Sequence, residues 1–149
     1  MPATNAKIQF HSLQKVSLKD RNHLKQFIAS LFRREKKPLA ELSYIFCSDP
    51  YLLDINRQFL QHDFYTDIIT FPLSDPGQPI SGEIYISVDR VRENAVAFGS
   101  SVKKELLRVI FHGALHLCGY KDKSPRDQKL MREMEDKYLK LYSVPRGNI

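Results

Sequence analysis

The stretch FHGALHLCGYKDK, residues 111 to 123, contains the side chains best suited to bind a metal. His112 and His116 are four residues apart, so on a helix they lie on one face, about 6 Å apart along its axis. Two imidazoles in this arrangement can bind one ion. Gly119 can then reverse the chain, so that Asp122 supplies a carboxylate oxygen as third ligand. This pattern predicts a catalytic zinc site whose fourth position is open to water.

Three other residues of the same segment limit the chemistry. Glu105 precedes His112 by seven residues, where it either orients a metal ligand or pairs as a surface charge with Arg108 or a lysine. Cys118 lies about 200° around the helix from the second histidine, so we interpret it as a small buried residue. Gly113 stands where zinc proteases of the H-E-x-x-H pattern carry their general base, so the sequence disfavours peptide hydrolysis without excluding it.

Length, charge and cysteine content favour one domain with an anionic partner. The chain has 149 residues, of which 42% are hydrophobic and 27% charged, and these values are typical of a single globular domain over residues 1–149. Its net charge of +6 favours nucleic acid as a partner. Cys47 and Cys118 lack disulfide or metal spacing, and no signal peptide or membrane span is apparent. We therefore expect a cytoplasmic protein.

Five helices are predicted from apolar periodicity and capping residues. A capping box of Ser17 and Asp20 opens the first, and Asp49 is the expected N-cap of the second. The third and fourth each end at a glycine, and the fourth carries both histidines. Ser124 is the expected cap of the fifth. The predicted buried face of this last helix comprises Leu130, Met131, Met134, Tyr138 and Leu141.

Four strands are predicted within residues 7–13, 40–48, 66–73 and 82–88, where branched and aromatic residues are frequent. A turn-rich segment, SDPGQPIS, separates the last two. The resulting order, β-α-β-α-β-β-α-α-α, predicts an α+β domain. In it, about five helices pack against a mixed sheet of about four strands.

These motifs resemble those of the YbeY-type rRNA maturation factors, a family of bacterial metal-dependent endoribonucleases. The run HGALHLCGY is similar to the family signature H-G-x-L-H-L-x-G-Y-D-H. The run INRQFLQHDFYTDIITFP resembles the family's asparagine-containing helix, the threonine and acidic or amide residue after it, and a strand ending in Phe-Pro. GEIYIS resembles the next strand, and Glu105 falls where the family has a glutamate. The resemblance covers roughly residues 50 to 140.

The resemblance implies an α+β endoribonuclease that holds one zinc ion and cleaves single-stranded RNA. It implies a role in maturation of small-subunit (16S) ribosomal RNA and in ribosome quality control, with the small ribosomal subunit, a ribosomal protein or a GTPase as partners. His112 and His116 match two of the family's metal ligands, and Asp122 replaces its third histidine. Aspartate can ligate zinc, but its charge favours harder ions and makes bound water less acidic.

One departure from the family concerns an arginine that is credited with activity. Leu60 takes its place, and Arg57, three residues earlier, points about 60° away on a helix. Either Arg57 or another basic residue substitutes, or the catalytic strategy differs. Two other functions therefore stay open: a non-catalytic ribosome-assembly factor that keeps the metal for structure, and a metal-dependent hydrolase of another substrate, including peptides.

The segment before the third strand offers further candidates. Thr66 and Asp67 match the family's motif and either position substrate or serve in capping and turn formation. Phe64 or Tyr65 either stacks on an RNA base or belongs to the core. No residue of the sequence can be named as general base.

Overall fold

A computed structural model describes residues 6–144, and within them the predicted order of four strands and five helices is confirmed. No helix in this range is long and apolar enough to cross a membrane. The elements are β1 (Lys7–Ser12), α1 (Arg21–Arg34), β2 (Leu39–Cys47), α2 (Asp49–Leu60), β3 (Ile68–Pro72), β4 (Ile80–Ser87), α3 (Val88–Ala97), α4 (Val102–Leu117) and α5 (Pro125–Tyr142).

The four strands form one mixed sheet in the order β1-β2-β4-β3. β2 lies parallel to both β1 and β4, whereas β3 runs antiparallel to β4. Parallel neighbours need a crossover connection, which α1 supplies between β1 and β2. The turn-rich segment joins β3 and β4 as an antiparallel pair. The sheet and the five helices confirm the α+β class.

The helix that carries both histidines, α4, is central to the packing. It contacts α1, α3 and α5, as well as strands β3 and β4. Gly113 allows its close approach to the sheet, because an added Cβ would lie 2.8 Å from Ile84 Cδ1 and 3.1 Å from Ile68 Cδ1. The same packing explains why a glutamate cannot replace Gly113: its side chain would meet the sheet.

The predicted capping box of α1 is wrong. The helix begins at Arg21, and its N-cap Asp20 has left-handed backbone angles (φ 53°, ψ 48°) without a capping hydrogen bond from its side chain. Val16 and Leu18 pack against the core, so the segment around Ser17 is held as a connection rather than as a first helical turn.

The N-cap of α2 is Ser48, not Asp49 as predicted, because the Ser48 hydroxyl accepts a hydrogen bond from Tyr51 N at 3.3 Å. Asp49 instead occupies the first helical turn, where its Oδ2 accepts from Arg90 Nη2 at 2.8 Å and its Oδ1 from the Ser87 hydroxyl at 2.9 Å. This ion pair joins the starts of α2 and α3.

The cap of α5 is confirmed, since the Ser124 hydroxyl accepts from Asp127 N at 3.0 Å. Its predicted buried face is wrong at Leu130, which is 47% exposed. The fully buried positions are Met131, Glu135 and Tyr138, spaced at i, i+4 and i+7. An acidic residue therefore lies at the centre of the face that apolar periodicity identifies.

Candidate metal centre

The two histidines of α4 lie side by side. The His112 and His116 rings are almost parallel, at 9°, and their centroids are 6.4 Å apart. His112 is half-buried, whereas His116 is exposed. The helix thus presents two imidazoles at the surface, one turn apart.

Both rings have one nitrogen already engaged. His112 Nδ1 is 2.7 Å from Glu135 Oε2, and His116 Nδ1 is 3.0 Å from the Tyr120 carbonyl oxygen. Carboxylate and carbonyl oxygens accept hydrogen bonds, so each Nδ1 is the donor and each Nε2 is left for another partner. Metal-binding histidines are commonly held in this way, by an acceptor on the nitrogen that does not bind the metal.

The third predicted ligand follows a sharp reversal of the chain. Gly119 has φ +111°, and Tyr120 N donates to Leu115 O at 3.1 Å to close the helix end. This turn brings Asp122 Oδ2 to 3.3 Å from His112 Nε2. Two imidazoles and a carboxylate are a donor set that fits a divalent cation such as zinc.

The three predicted ligands do not already enclose an ion. Between residues 6 and 144, no three His, Cys, Asp or Glu side chains are grouped closely enough to hold a metal as they are placed. Asp122 and His112 are in contact, and His116 lies one helical turn away. The three-ligand site therefore stays a prediction, supported by its donor chemistry and by the two held rings.

The surroundings of His112 are acidic. Burial lowers its pKa, but the neighbouring carboxylates of Glu135, Asp122 and Asp67 together raise the pKa above its ordinary value. Arg108 offsets part of this charge, with Nη1 3.0 Å from Glu135 Oε1. Burial also raises the pKa of Asp67, although the charge on His112 counteracts this. Acids gathered around one imidazole are an environment that attracts a cation.

Glu105 is part of the same acidic environment but does not hold a histidine in the described contacts. It is 5% exposed, so its interpretation as a surface charge is wrong. Burial raises the pKa of Glu105, Arg108 lowers it, and Asp67 raises it further. The contact proposed for Glu105, to a ligand ring, is made by Glu135.

The loop over residues 61–67 is fixed close to this centre by two hydrogen bonds. The buried side chain of Asn56 donates from Nδ2 to the Phe64 carbonyl at 2.8 Å. At the other end, Ser87 N donates to the Asp67 carbonyl at 2.9 Å. These bonds tie the loop to α2 and to the end of β4.

The aromatic side chains of this loop point outward. Phe64 and Tyr65 are 54% and 52% exposed, so their interpretation as core residues is wrong. The guanidinium of Arg90 lies 5.3 Å from the centroid of the Tyr65 ring. Thr66 makes a local contact, with Oγ1 3.4 Å from the Ile68 carbonyl oxygen. The Phe64 ring already stacks on His62, with centroids 5.0 Å apart, so a contact of either ring with an RNA base stays a prediction. Thr66 has at least its turn-forming role.

Arg57, the arginine named from the sequence, and Arg90, which lies over the Tyr65 ring, have different surroundings. Arg57 Nε is 2.5 Å from Asp63 Oδ1 in an exposed ion pair, and Leu60 is the last residue of α2. Arg90, in contrast, is one of the charges that lower the pKa of Asp67. Arg90 therefore has an electrostatic influence on Asp67, in addition to that of Arg108 on Glu135.

Sequence reasoning missed the residues that hold the rings. Glu135 was hidden within the apolar face of α5, and the Tyr120 contribution is a backbone carbonyl, which no side-chain pattern reveals. The available signal was a glutamate four residues after Met131 and three before Tyr138, on the buried side of a helix.

Comparisons with known proteins agree with this fold. The family model for Endoribonuclease YbeY matches residues 7–143. Relatives named Endoribonuclease YbeY include one from Cytophaga hutchinsonii, 50% identical over 83% of this chain and 87% of the relative. Another, from Christiangramia forsetii, is 42% identical over 92% of this chain and 95% of the relative. A solution structure of a Thermotoga maritima protein has a TM-score of 0.60 and 30% identity, covering 92% of this chain and 88% of that one.

The fold, the paired histidines and these matches define the class of the protein, a nuclease among the hydrolases. The chain belongs to the YbeY family of endoribonucleases. The predicted family and the predicted class of enzyme are both confirmed.

Proposed function

We propose that this chain cleaves single-stranded RNA in the maturation of small-subunit (16S) ribosomal RNA and in ribosome quality control, with one zinc ion at His112, His116 and Asp122. The observation that carries the proposal is the state of the two rings. Each has an acceptor on Nδ1, so both Nε2 atoms remain for an ion, and a carboxylate lies 3.3 Å from one of them. Family membership supports RNA as the substrate.

The partners and compartment in this proposal come from the family resemblance. They are the small ribosomal subunit in the cytoplasm, with a ribosomal protein or a GTPase as a further partner. The basic character of the chain, with a net charge of +6, supports an RNA-rich partner.

The residues around the centre have separable roles in phosphodiester cleavage. A bound zinc ion would supply Lewis-acid polarisation of a phosphate oxygen and a more acidic water. Glu135 and the Tyr120 carbonyl orient the two imidazoles, and Asp122 adds negative charge from the turn. Asp67 is our candidate for the general base, because its carboxylate belongs to the acidic group around His112 and its backbone is fixed to Ser87 at 2.9 Å.

Positive charge for the reacting phosphate comes from three side chains. Lys121 and Lys123 are exposed and flank Asp122 in sequence. Arg90 stands beside the loop of residues 61–67, where its charge acts on Asp67. Fixed cations of this kind stabilise the charge that develops on phosphate during cleavage. Arg90 thus compensates for Leu60 in this proposal.

The test measures metal content and RNA cleavage together. Replacing His116 by Ala should remove the bound zinc and lower cleavage of single-stranded RNA by at least about 100-fold, since the metal contributes several kcal/mol to the transition state. His11→Ala, an exposed histidine on β1, serves as the matched control and should retain both.

Two results would redirect the proposal. RNA binding without cleavage, with every divalent metal added, would indicate a ribosome-assembly factor. Equal zinc content in wild type and Asp122→Ala would remove Asp122 from the site. Hydrolysis of peptides is disfavoured because Gly113 faces Ile84 and Ile68 and leaves no room for the glutamate that zinc proteases use.

A further inference from the structure

We propose that a basic groove along the end of α1 binds the RNA strand beyond the phosphate that is cleaved. This inference rests on the proposed function and extends it from the reacting phosphate to the neighbouring nucleotides. We call the surface the α1 groove. It is lined by Arg33, Lys36, Lys37, Tyr120 and Lys121.

The α1 groove consists of two clefts that share one residue. The first, of about 300 Å³, has Arg33, Lys36 and Lys37 at its edge. The second, of about 490 Å³, extends from Lys37 to Lys121 and includes the turn that follows α4. Lys37 lines both clefts, so they adjoin at this side chain, and the second cleft extends to the turn that precedes Asp122.

The first cleft combines apolar and cationic surface. Phe32, Pro38 and Leu39 contribute its apolar lining, next to the three cations. Binding sites for single-stranded nucleic acid pair such surfaces, with bases or sugars on apolar groups and phosphates on Lys and Arg. A nucleotide is therefore the ligand that matches both components.

The cations of the α1 groove are available to a ligand. Arg33, Lys36, Lys37 and Lys121 are exposed, and none of them is in an ion pair with another residue of the described range 6–144. Uncommitted charges of this kind can exchange their small counterions for phosphates.

Two acidic residues also line the second cleft, and one of them already accepts hydrogen bonds from neighbouring side chains. The Glu35 carboxylate accepts hydrogen bonds from the hydroxyls of Tyr120 and Tyr138, at 2.8 Å for Tyr120. Asp127 is the other acid. Four cations against these two acids leave the groove with net positive charge.

Lys36 adds an independent observation. It follows the end of α1 with φ 58°, and Lys37 N donates to Phe32 O at 2.9 Å, which is the hydrogen-bond pattern of a helix end that favours glycine. The helix dipole accounts for cations within the last turn, such as Arg33, but not for a lysine in this backbone conformation. In this proposal the Lys36 charge serves RNA binding at a position where glycine would suit the backbone better.

Tyr120 connects the groove to the metal centre. Its hydroxyl is fixed by Glu35 within the second cleft, and its carbonyl accepts from His116 Nδ1. The second cleft and the His116 ring therefore share one residue, Tyr120, whose side chain lines the cleft and whose backbone holds the ring.

The experiment compares RNA binding by wild type and a groove variant, Arg33→Gln/Lys36→Gln/Lys37→Gln, over a range of salt concentrations. The probe is a single-stranded RNA of about twelve nucleotides, within the span of single-strand binding sites. Loss of three phosphate contacts should weaken binding by on the order of 10- to 100-fold at about 0.1 M salt and reduce the slope of log K against log salt by about 2.

A control variant removes the same charge elsewhere. Lys103→Gln/Lys104→Gln/Lys140→Gln changes three lysines that line a larger cavity, of about 830 Å³, formed by α4 and α5. This variant should bind RNA within about twofold of wild type, since its cations make no strand contacts in the proposal. Equal weakening of RNA binding in both variants, or no weakening in the groove variant, would contradict RNA binding in the α1 groove.

A single substitution separates binding from stability. Lys36→Gly should raise the melting temperature, because glycine suits the backbone there, and yet weaken RNA binding by about fivefold. A purely structural lysine would leave RNA affinity unchanged. Failure of the proposed function can be told apart from failure of this inference. If the wild type binds RNA without cleaving it, the proposed function fails, and the comparison of RNA affinities still tests whether the α1 groove binds RNA.

Discussion

At the scale of single residues, the histidine pair depends on acceptors supplied by other parts of the chain. Glu135 on α5 binds His112, and the backbone of Tyr120 binds His116. Only the second acceptor is close in sequence to its histidine. The more buried ring is therefore oriented by a tertiary contact, and its ability to bind metal should depend on that contact.

We expect Glu135→Gln to weaken zinc binding by about 10- to 100-fold, the usual effect of losing the carboxylate that holds a metal-binding histidine. The glutamine keeps the shape of the side chain but removes the charge 2.7 Å from His112 Nδ1. Competition with a chromophoric chelator measures the affinity directly.

Asp136→Asn is the matched control for this substitution. Asp136 is the next residue on α5 and pairs with Arg108 at 2.8 Å, as Glu135 does at 3.0 Å, but has no described contact to His112. It removes the same charge, so the control should bind zinc as wild type does. Similar losses in both variants would show that Glu135 acts through overall charge rather than through the ring.

The proximity of His112, His116 and Asp122 could be predicted from the sequence because their relation is local, whereas their binding of a metal stays a prediction. A spacing of four residues places His112 and His116 on one helix face, and a glycine bend returns Asp122. The contact of Glu135 with His112 could not be predicted from the sequence, because a contact between two helices does not require a fixed number of residues between its partners. Outward-facing Phe64 and Tyr65 were ambiguous, since aromatic residues serve equally in cores and at binding surfaces.

At the scale of elements, the height of α4 above the sheet is set by one glycine. The Gly113 backbone lies so close to Ile84 and Ile68 that no side chain fits between them. Neighbouring Phe111 and Ala114 are fully buried, so the helix cannot move outward without losing core contacts. The position of the histidines relative to the sheet follows from this close packing.

Gly113→Ala should lower the free energy of unfolding by about 1–2 kcal/mol. The methyl group would overpack the core at a cost of about 1–3 kcal/mol, only partly offset by the better helix propensity of alanine. Urea denaturation measures the change. Adding Ile84→Val removes the Cδ1 atom that would lie 2.8 Å from the new methyl but keeps Cγ2 at 2.9 Å. The overpacking is then relieved in part, so the double variant should be more stable than the sum of the two single losses predicts. Strict additivity would contradict this account of the packing.

The elements themselves were largely readable from local signals. Apolar periodicity located all five helices, and Ser124 was recognised as a cap because its hydroxyl acts on its own helix. The start of α1 was missed, because Val16 and Leu18 are held by the core and override the local capping pattern. The strand order β1-β2-β4-β3 depends on long-range pairing and was not specified by local signals.

At the scale of the whole molecule, one carboxylate joins three separate parts of the chain. Glu35, directly after α1, accepts from Tyr120 in the turn after α4 and from Tyr138 on α5. Burial, followed by the charge and hydrogen bonding of Glu35, raises the pKa of Tyr120 to about 12 and that of Tyr138 as well. The contribution of this junction to the stability of the protein should therefore change with pH in the alkaline range.

Between about pH 10 and pH 12, the folded protein keeps the Tyr120 proton while the unfolded chain loses it. The unfolded state then binds fewer protons, so the free energy of unfolding falls as the pH rises through this window. Tyr120→Phe should be less stable than wild type below pH 10, and the difference should narrow toward pH 12. Tyr51→Phe, at an exposed ring, should show no such convergence in urea denaturation. A constant difference for Tyr120→Phe would contradict the coupling.

The contact between His112 and Glu135 can form only after α5 has been synthesised, because Glu135 lies on that helix. A nascent chain that ends before α5 already contains both histidines, but neither Glu135 nor Tyr138 has been added. Its His112 ring lacks the acceptor that orients it, and the turn at Tyr120 lacks part of its anchor. A chain at that stage of synthesis therefore lacks both the contact that orients His112 and the contact from Tyr138 to Glu35.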